Sequence, residues 1–241
     1  MSLANDIYDK LLNDFKIKEA SGKIVFSLNN VDCTIKNNDI VGNVLEEWLN
    51  TWLINNGYNV IHNKEQKSPD FWLNREDYES DLLEVKSFFN KPSFDIASFK
   101  SYIGDIIERP YRLQADYLIF KYNMNPETGE VSILDIWLKK VWEICAPSQD
   151  FPIKVQRKKN VVTNIRPATW FSEHPVYKSF SKMQDFLAAI EESIYQYPDT
   201  HKIAEKWKRN LCQSYYKKYN SSLDFPRWYD IKKEYGFDQN E

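Results

Sequence analysis

Glycine is scarce, with six in 241 residues, and no two fall close enough to make a GxGxxG or GxxxxGK[ST] loop. That excludes the phosphate-cradling turns of dinucleotide- and nucleoside-triphosphate-binding proteins. Cysteine is scarcer still: Cys33, Cys145 and Cys212 are odd in number, far apart and in no CxxC pairing. They fit a reducing compartment, with neither a disulfide framework nor a zinc site. His62, His174 and His201 show no metal-ligand spacing either. No charged-then-apolar leader opens the sequence, and no apolar run approaches the ~18 residues of a membrane span. The expectation is a soluble, cytoplasmic protein of bacterial intracellular type, without membrane contact. A formal net charge of -3 gives no global sign of a nucleic-acid partner, so only a local patch could supply one.

What the chain does have is apolar bulk. Hydrophobic residues make up 42% and aromatics 15%, with eight tryptophans, enough for one sizeable packed domain over residues 1–241. Residues 4–15 read as a short amphipathic helix, and "KIVFSLNNVDCTI" as a hairpin turning at Asn29-Asn30. The clearest helix spans 39–56, where Val41, Val44, Leu45, Trp48, Leu49, Trp52 and Leu53 recur at helical spacing. Asp39 can cap its start and Gly57 can end it. Strand patterns follow in "YNVIH", "DFWL" and "DLLEVKSF". A helical pattern then runs over 94–113, broken at Pro110, before two more strands, "ADYLIFKY" and "VSILDIWL". Helices over 180–197 and 200–219, split at Pro198, complete the chain. This order predicts an α/β (α+β-like) fold with a mixed central sheet flanked by helices.

One stretch carries chemistry. In "SPDFWLNREDYESDLLEVKSF", strand alternation sets Glu84 and Lys86 on one face and turns Val85 to the other. Two charges on an apolar strand are costly to bury without partners or a ligand. Asp70 opens the preceding strand, and a hairpin connection brings it beside Glu84. Two adjacent carboxylates repel unless a cation separates them. A hard divalent ion such as Mg²⁺ suits them, with the Val85 carbonyl as a backbone ligand. Lys86 is then placed to orient or deprotonate an attacking water.

Pro69-Asp70…Glu84-Val85-Lys86 resembles the signature of the PD-(D/E)XK nucleases. The resemblance covers about residues 38–122 and implies a restriction-endonuclease-like core entered by a helix that contributes another acid, here Glu46 or Glu47. On the helical wheel Glu46 lies nearer the apolar stripe, and "GNVLEEWL" looks like the usual family form, which favours Glu46. The resemblance further implies hydrolysis of a DNA phosphodiester with Mg²⁺, or Mn²⁺ in its place, giving 5′-phosphate ends. Asp70, Glu84 and Val85 would hold the ion.

Residues 151–172 contain no acid but carry Lys154, Arg157, Lys158, Lys159 and Arg166, a local charge of +5. Lysines neutralise phosphates, whereas arginine and side-chain amides have the bidentate geometry that reads guanine and adenine. Gln156, Arg157, Asn164 and Arg166 are therefore candidates for base contacts, and Lys154, Lys158 and Lys159 for phosphate contacts, within a recognition segment of about 150–173. "HKIAEKWKRNLCQSYYKKY" is a second basic stretch, with Ile203, Trp207 and Leu211 as its apolar stripe, and reads as structural. "NVVTNIRPATWF" resembles the NgoBV-type branch of type II restriction endonucleases. That resemblance implies double-stranded DNA as partner, a homodimer, and a cognate DNA methyltransferase as a genetic partner. Two other classes share the same core: repair or junction-resolving nucleases, and DNA-binding proteins that no longer cut.

Overall fold

A computed structural model of the chain describes residues 2–65, 67–159 and 161–237. Asn160, in the quoted "NVVTNIRPATWF", lies outside them. In chain order the strands are β1 (Ser21–Leu28), β2 (Val31–Ile35), β3 (Ile61–His62), β4 (Phe71–Trp72), β5 (Leu82–Phe88), β6 (Ala97–Ser98), β7 (Asp116–Met124), β8 (Glu130–Lys140), β9 (Val155–Lys158) and β10 (Val161–Ile165). The helices are α1 (Leu3–Asp9), α2 (Val41–Asn55), α3 (Phe99–Glu108), α4 (Met183–Gln196), α5 (Pro198–Tyr219) and the short α6 (Trp228–Ile231). Among the described residues no helix is long and apolar enough to cross a membrane.

The chain divides into two compact units, one of Met1–Pro92 with Gln114–Lys139, the other of Ser93–Leu113 with Lys140–Glu241. The first is built on a seven-stranded sheet ordered β2-β1-β8-β7-β5-β4-β3. Strands β3, β4 and β5 pair antiparallel, while β5 and β7 run parallel. Parallel neighbours need a crossover, and residues 89–115 supply it. The sheet is mixed and has helices packed on it, as the order of sequence patterns predicts. Val41, Leu45, Leu49, Trp52 and Leu53 of α2 share one buried cluster with Leu83, Val85, Leu118 and Phe120 of the sheet. Burying such side chains is worth roughly 1.5–3 kcal/mol each, which fixes α2 against β5. Gly42 lies at that seam: a Cβ there would come 3.0 Å from Ser87 Oγ.

Local chemistry moves several boundaries. Asp39 does not cap α2. It sits inside a 3₁₀ turn, Asn38–Ile40, whose cap is the Asn37 side chain accepting from the Asp39 N–H at 3.0 Å. Gly57 follows the helix with φ 81°, a conformation glycine adopts without penalty. "YNVIH" yields only a two-residue strand, because Arg75 Nε and Nη2 take the Val60 carbonyl at 3.1 and 2.9 Å in place of a ladder partner. Asn29 and Asn30 turn the β1–β2 hairpin with positive φ, as their residue types predict.

In the second unit β6, β10 and β9 form a three-stranded sheet, in that order. The helical pattern over 94–113 shortens to α3, because residues 97–98 pair with β10 and Ile96 N–H donates to the Ile165 carbonyl at 3.1 Å. Long-range strand pairing overrides local periodicity there. On α5 the buried stripe is Thr200, Ala204, Trp207 and Leu211 rather than one running through Ile203, which is 46% exposed. Spacing of 3.6 residues centres the stripe between 204 and 207 and turns Ile203 to its edge. Trp207, fully enclosed, donates its indole N–H to the Ile103 carbonyl at 2.8 Å and so ties α5 to α3.

Candidate active site

Strand β5 reads Leu-Leu-Glu-Val-Lys-Ser-Phe, and its first four residues are buried. Glu84 is 3% exposed, a carboxylate set almost wholly inside an apolar strand. Val85, on the opposite face, joins the cluster with α2. The register Phe71↔Leu83 continues by one residue to set Asp70 against Glu84. Strand β4 begins only at Phe71, so Asp70 is free to turn its side chain inward, where Oδ2 accepts from the Val85 N–H at 2.6 Å.

Lys86 completes the group. Its Nζ lies 3.4 Å from Glu84 Oε2 and 3.8 Å from Asp70 Oδ2. Burial acts most strongly on this ammonium and would lower its pKa. The charges of Glu84, Asp70 and Glu46 together outweigh burial and hold Lys86 above the usual lysine range. Three charges that no apolar strand would tolerate singly are thus collected at one point.

The helix acid joins them from α2. Glu46 is half-buried, whereas Glu47 is exposed. Glu46 Oε1 lies 2.8 Å from His62 Nε2, and the His62 ring stacks on Phe71 at 4.7 Å between centroids and 14° between planes. The sequence pattern does not flag His62, since no metal-ligand spacing surrounds it. The available signal is positional: a histidine closes the strand pattern just before Pro69-Asp70.

Among the described residues no three His, Cys, Asp or Glu side chains form a metal-holding group. The donors of this cluster are of a different kind, two carboxylates and one main-chain carbonyl. In a strand the N–H and C=O of one residue face the same neighbour. Because the Val85 N–H is directed at Asp70, its carbonyl is turned to that same edge, beyond the end of β4. An all-oxygen set with a counter-cation already between its acids suits a hard divalent ion. The residues present fit one.

Comparison with known proteins bears on the whole chain. Residues 1–235 match the family model of the NgoBV restriction endonuclease. The chain belongs to the NgoBV restriction endonuclease family. It is 44% identical to the type II restriction enzyme NlaIV of Neisseria lactamica, over 96% of this chain and 97% of that one. It is 40% identical to the type II restriction enzyme NgoBV of Neisseria gonorrhoeae, over 65% of this chain and 90% of that one. The solved structure of NlaIV restriction endonuclease superposes with a TM-score of 0.92, covering 98% of this chain and 96% of the other. The chain is a type II restriction endonuclease, a sequence-specific DNA endonuclease, with the mixed-sheet fold expected of it. Restriction enzymes act on double-stranded DNA, and this family generally uses divalent metal ions.

The basic segment expected from sequence to read DNA contains the β9–β10 hairpin of the second unit. Alternation sets Gln156 and Lys158 on one face of β9 and Arg157 on the other. Gln156 pairs with Asn164 across the strands, and Asn164 Nδ2 donates to Gln156 Oε1 at 3.1 Å. Arg157 lies over the Phe151 ring, its Cζ 4.6 Å from the centroid. Lys158 and Lys159 are exposed at the hairpin end, Lys159 with φ 50°. Two of the seven are committed inward. Lys154 Nζ donates to the Pro167 carbonyl at 2.9 Å, and burial, with Arg166 nearby, lowers its pKa. Arg166 pairs with Asp95 at 3.0 Å and donates to the Ser93 carbonyl. The hairpin thus presents Gln156, Asn164 and Lys158 together, with Arg157 on the reverse face.

Proposed function

We propose that Asp70, Glu84 and the Val85 carbonyl hold Mg²⁺, with Mn²⁺ as a substitute, and that Lys86 and Glu46 complete the catalytic group of this restriction endonuclease. Bound there, the ion would acidify a water and shield the charge gathering on the phosphate. Lys86 Nζ, set between the two carboxylates, orients the attacking water and offsets negative charge on the phosphoryl oxygens. Glu46, from the α2 side, would accept a hydrogen bond from a ligand water of the ion or support a second ion. Val85 N–H fixes the Asp70 carboxylate, so that its second oxygen keeps one direction. Hydrolysis by this route leaves a 5′-phosphate and a 3′-hydroxyl. The observation that carries the reading is the convergence of Asp70, Glu84 and Lys86 where β4 ends, in a chain whose family cuts DNA.

The β9–β10 hairpin is proposed as the reader of sequence. Gln156 and Asn164 would touch bases from one face of the hairpin and Arg157 from the other, and Lys158 and Lys159 would meet phosphates. Lys154 and Arg166 would reach DNA only by giving up their contacts with Pro167, Asp95 and Ser93. A palindromic site cut on both strands would call for a two-fold homodimer, because protein symmetry then matches DNA symmetry. A cognate DNA methyltransferase would protect the same site in the bacterial cytoplasm. Digestion of a sequenced plasmid with Mg²⁺, followed by mapping of the ends, tests all of this. Discrete bands with 5′-phosphate ends are expected. Cutting confined to branched DNA, or binding without cutting, would overturn the reading.

A further inference from the structure

We infer that His62 is a positioning residue for cleavage, acting through Glu46 and selecting that acid over its neighbour Glu47. The inference rests on the proposed role of Glu46. It starts from an imidazole whose surroundings are unusual for a surface-helix partner. The His62 side chain is only 7% exposed, and its Nε2 lies 2.8 Å from Glu46 Oε1. Its other nitrogen, Nδ1, is buried, makes no hydrogen bond and lies 3.9 Å from Glu47 Oε2. One ring therefore stands between two consecutive carboxylates and bonds to one of them. With Nε2 as donor, the ring fixes one oxygen of Glu46.

The ring is held against a buried neighbour. It stacks on Phe71 with the planes 14° apart, and His62 is the strand partner of that same residue. One residue further, Asn63 N–H donates to the Asp70 carbonyl at 2.8 Å. The Asn63 side chain closes the connecting loop onto the Pro69 carbonyl at 2.9 Å. Phe71 is fully buried and adjoins Asp70 in the chain. Thus the element that orders Asp70 also carries the donor that orders Glu46. A helix acid and a strand acid on separate elements acquire one common reference through His62.

Two substitutions separate the hydrogen bond from the packing. His62→Phe keeps an aromatic ring for the Phe71 stack and removes the donor. His62→Gln keeps a nitrogen donor at similar reach and removes the ring. Each is compared with the parent for Mn²⁺ affinity by calorimetry, for kcat and KM on a plasmid site, and for thermal unfolding. Partners that orient a metal-site residue are worth about 10–100-fold in metal affinity or activity. His62→Phe is therefore expected to lose about tenfold or more in kcat or Mn²⁺ affinity, with unfolding temperature and KM near the parent. His62→Gln should recover most of that loss. A His62→Phe enzyme that matches the parent, or a His62→Gln enzyme no better than His62→Phe, overturns the inference.

The double variant with Glu46→Ala separates this failure from failure of the Glu46 assignment. If His62 acts through Glu46, His62→Phe adds nothing once Glu46 is gone. A further loss on that background shows that His62 works by another route. A Glu46→Ala enzyme with parental cleavage and metal binding would refute the role of Glu46, and with it any role for His62 through that acid.

Discussion

Val85 donates its main-chain N–H to the side chain of Asp70 across 2.6 Å, joining a strand residue to a carboxylate fifteen positions before it. Asp70 therefore has a structural duty beside the proposed chemical one, and two substitutions part them. Asp70→Asn retains an oxygen to accept from Val85 and should unfold near the parental temperature, yet fail to cut. Asp70→Ala leaves a main-chain N–H without its acceptor and should also lose about 1–3 kcal/mol of stability. Thermal unfolding with plasmid cleavage tests both. An Asp70→Asn enzyme with normal activity would refute the metal-ligand assignment.

Removing the cation from the cluster should reveal the repulsion it masks. Lys86→Met leaves Glu84 and Asp70 close together without their counter-charge. Breaking a buried charge pair by deleting one partner costs about 3–5 kcal/mol. The variant should melt well below the parent in EDTA and regain much of the difference in millimolar Mg²⁺, since a ligand that binds only the folded state stabilises it. Cleavage should be absent in either condition. An unfolding temperature indifferent to Mg²⁺ would count against this site as the place where the ion binds.

On the hairpin, phosphate and base contacts should separate by salt. Lys158→Ala is expected to weaken binding to every DNA sequence alike and reduce the salt slope by about one unit. Gln156→Ala should instead relax specificity at one base pair, at a cost of roughly 1–3 kcal/mol. Because Asn164 Nδ2 donates to Gln156 Oε1, the losses from Asn164→Ala and Gln156→Ala should not add. Binding isotherms at several salt concentrations, on specific and random duplexes, measure all three.

Gly42 offers a way to move the helix acid without touching it. With a Cβ at that position only 3.0 Å from Ser87 Oγ, the larger side chain of Gly42→Val has to turn the Ser87 hydroxyl aside or push the start of α2 away from β5. Overpacking of this kind costs about 1–3 kcal/mol. Glu46 rides on the next turn, and a shift of about 1 Å at a reacting group can cost about 10²-fold in rate. The expected result is a folded enzyme with normal DNA binding and reduced kcat.

Alternation along β5 made the common face of Glu84 and Lys86 legible from sequence, because a two-residue period depends on nothing distant. The helical wheel likewise separated half-buried Glu46 from exposed Glu47. His62 was not legible. Its meeting with Glu46 comes from the register of strands only two residues long, which no pattern over so few positions encodes. Residues 94–98 misled for a similar reason: their helical spacing gives way to pairing with a strand almost seventy positions later. Nor does basic character in a sequence reveal that the Pro167 carbonyl accepts from the Lys154 ammonium.

Strand β4 is two residues long, and the cluster of acids lies just past its end. The proposed chemistry therefore occupies a gap in the weave of the sheet. One more rung of ladder would carry Asp70 into the sheet, and the residue after that, Pro69, which the register sets opposite Val85, has no N–H to offer the Val85 carbonyl. On the proposed assignment, a longer β4 would cost the site the side-chain freedom of one of its acids. In a redesign for stability, the shortness of β4 is the feature to leave alone.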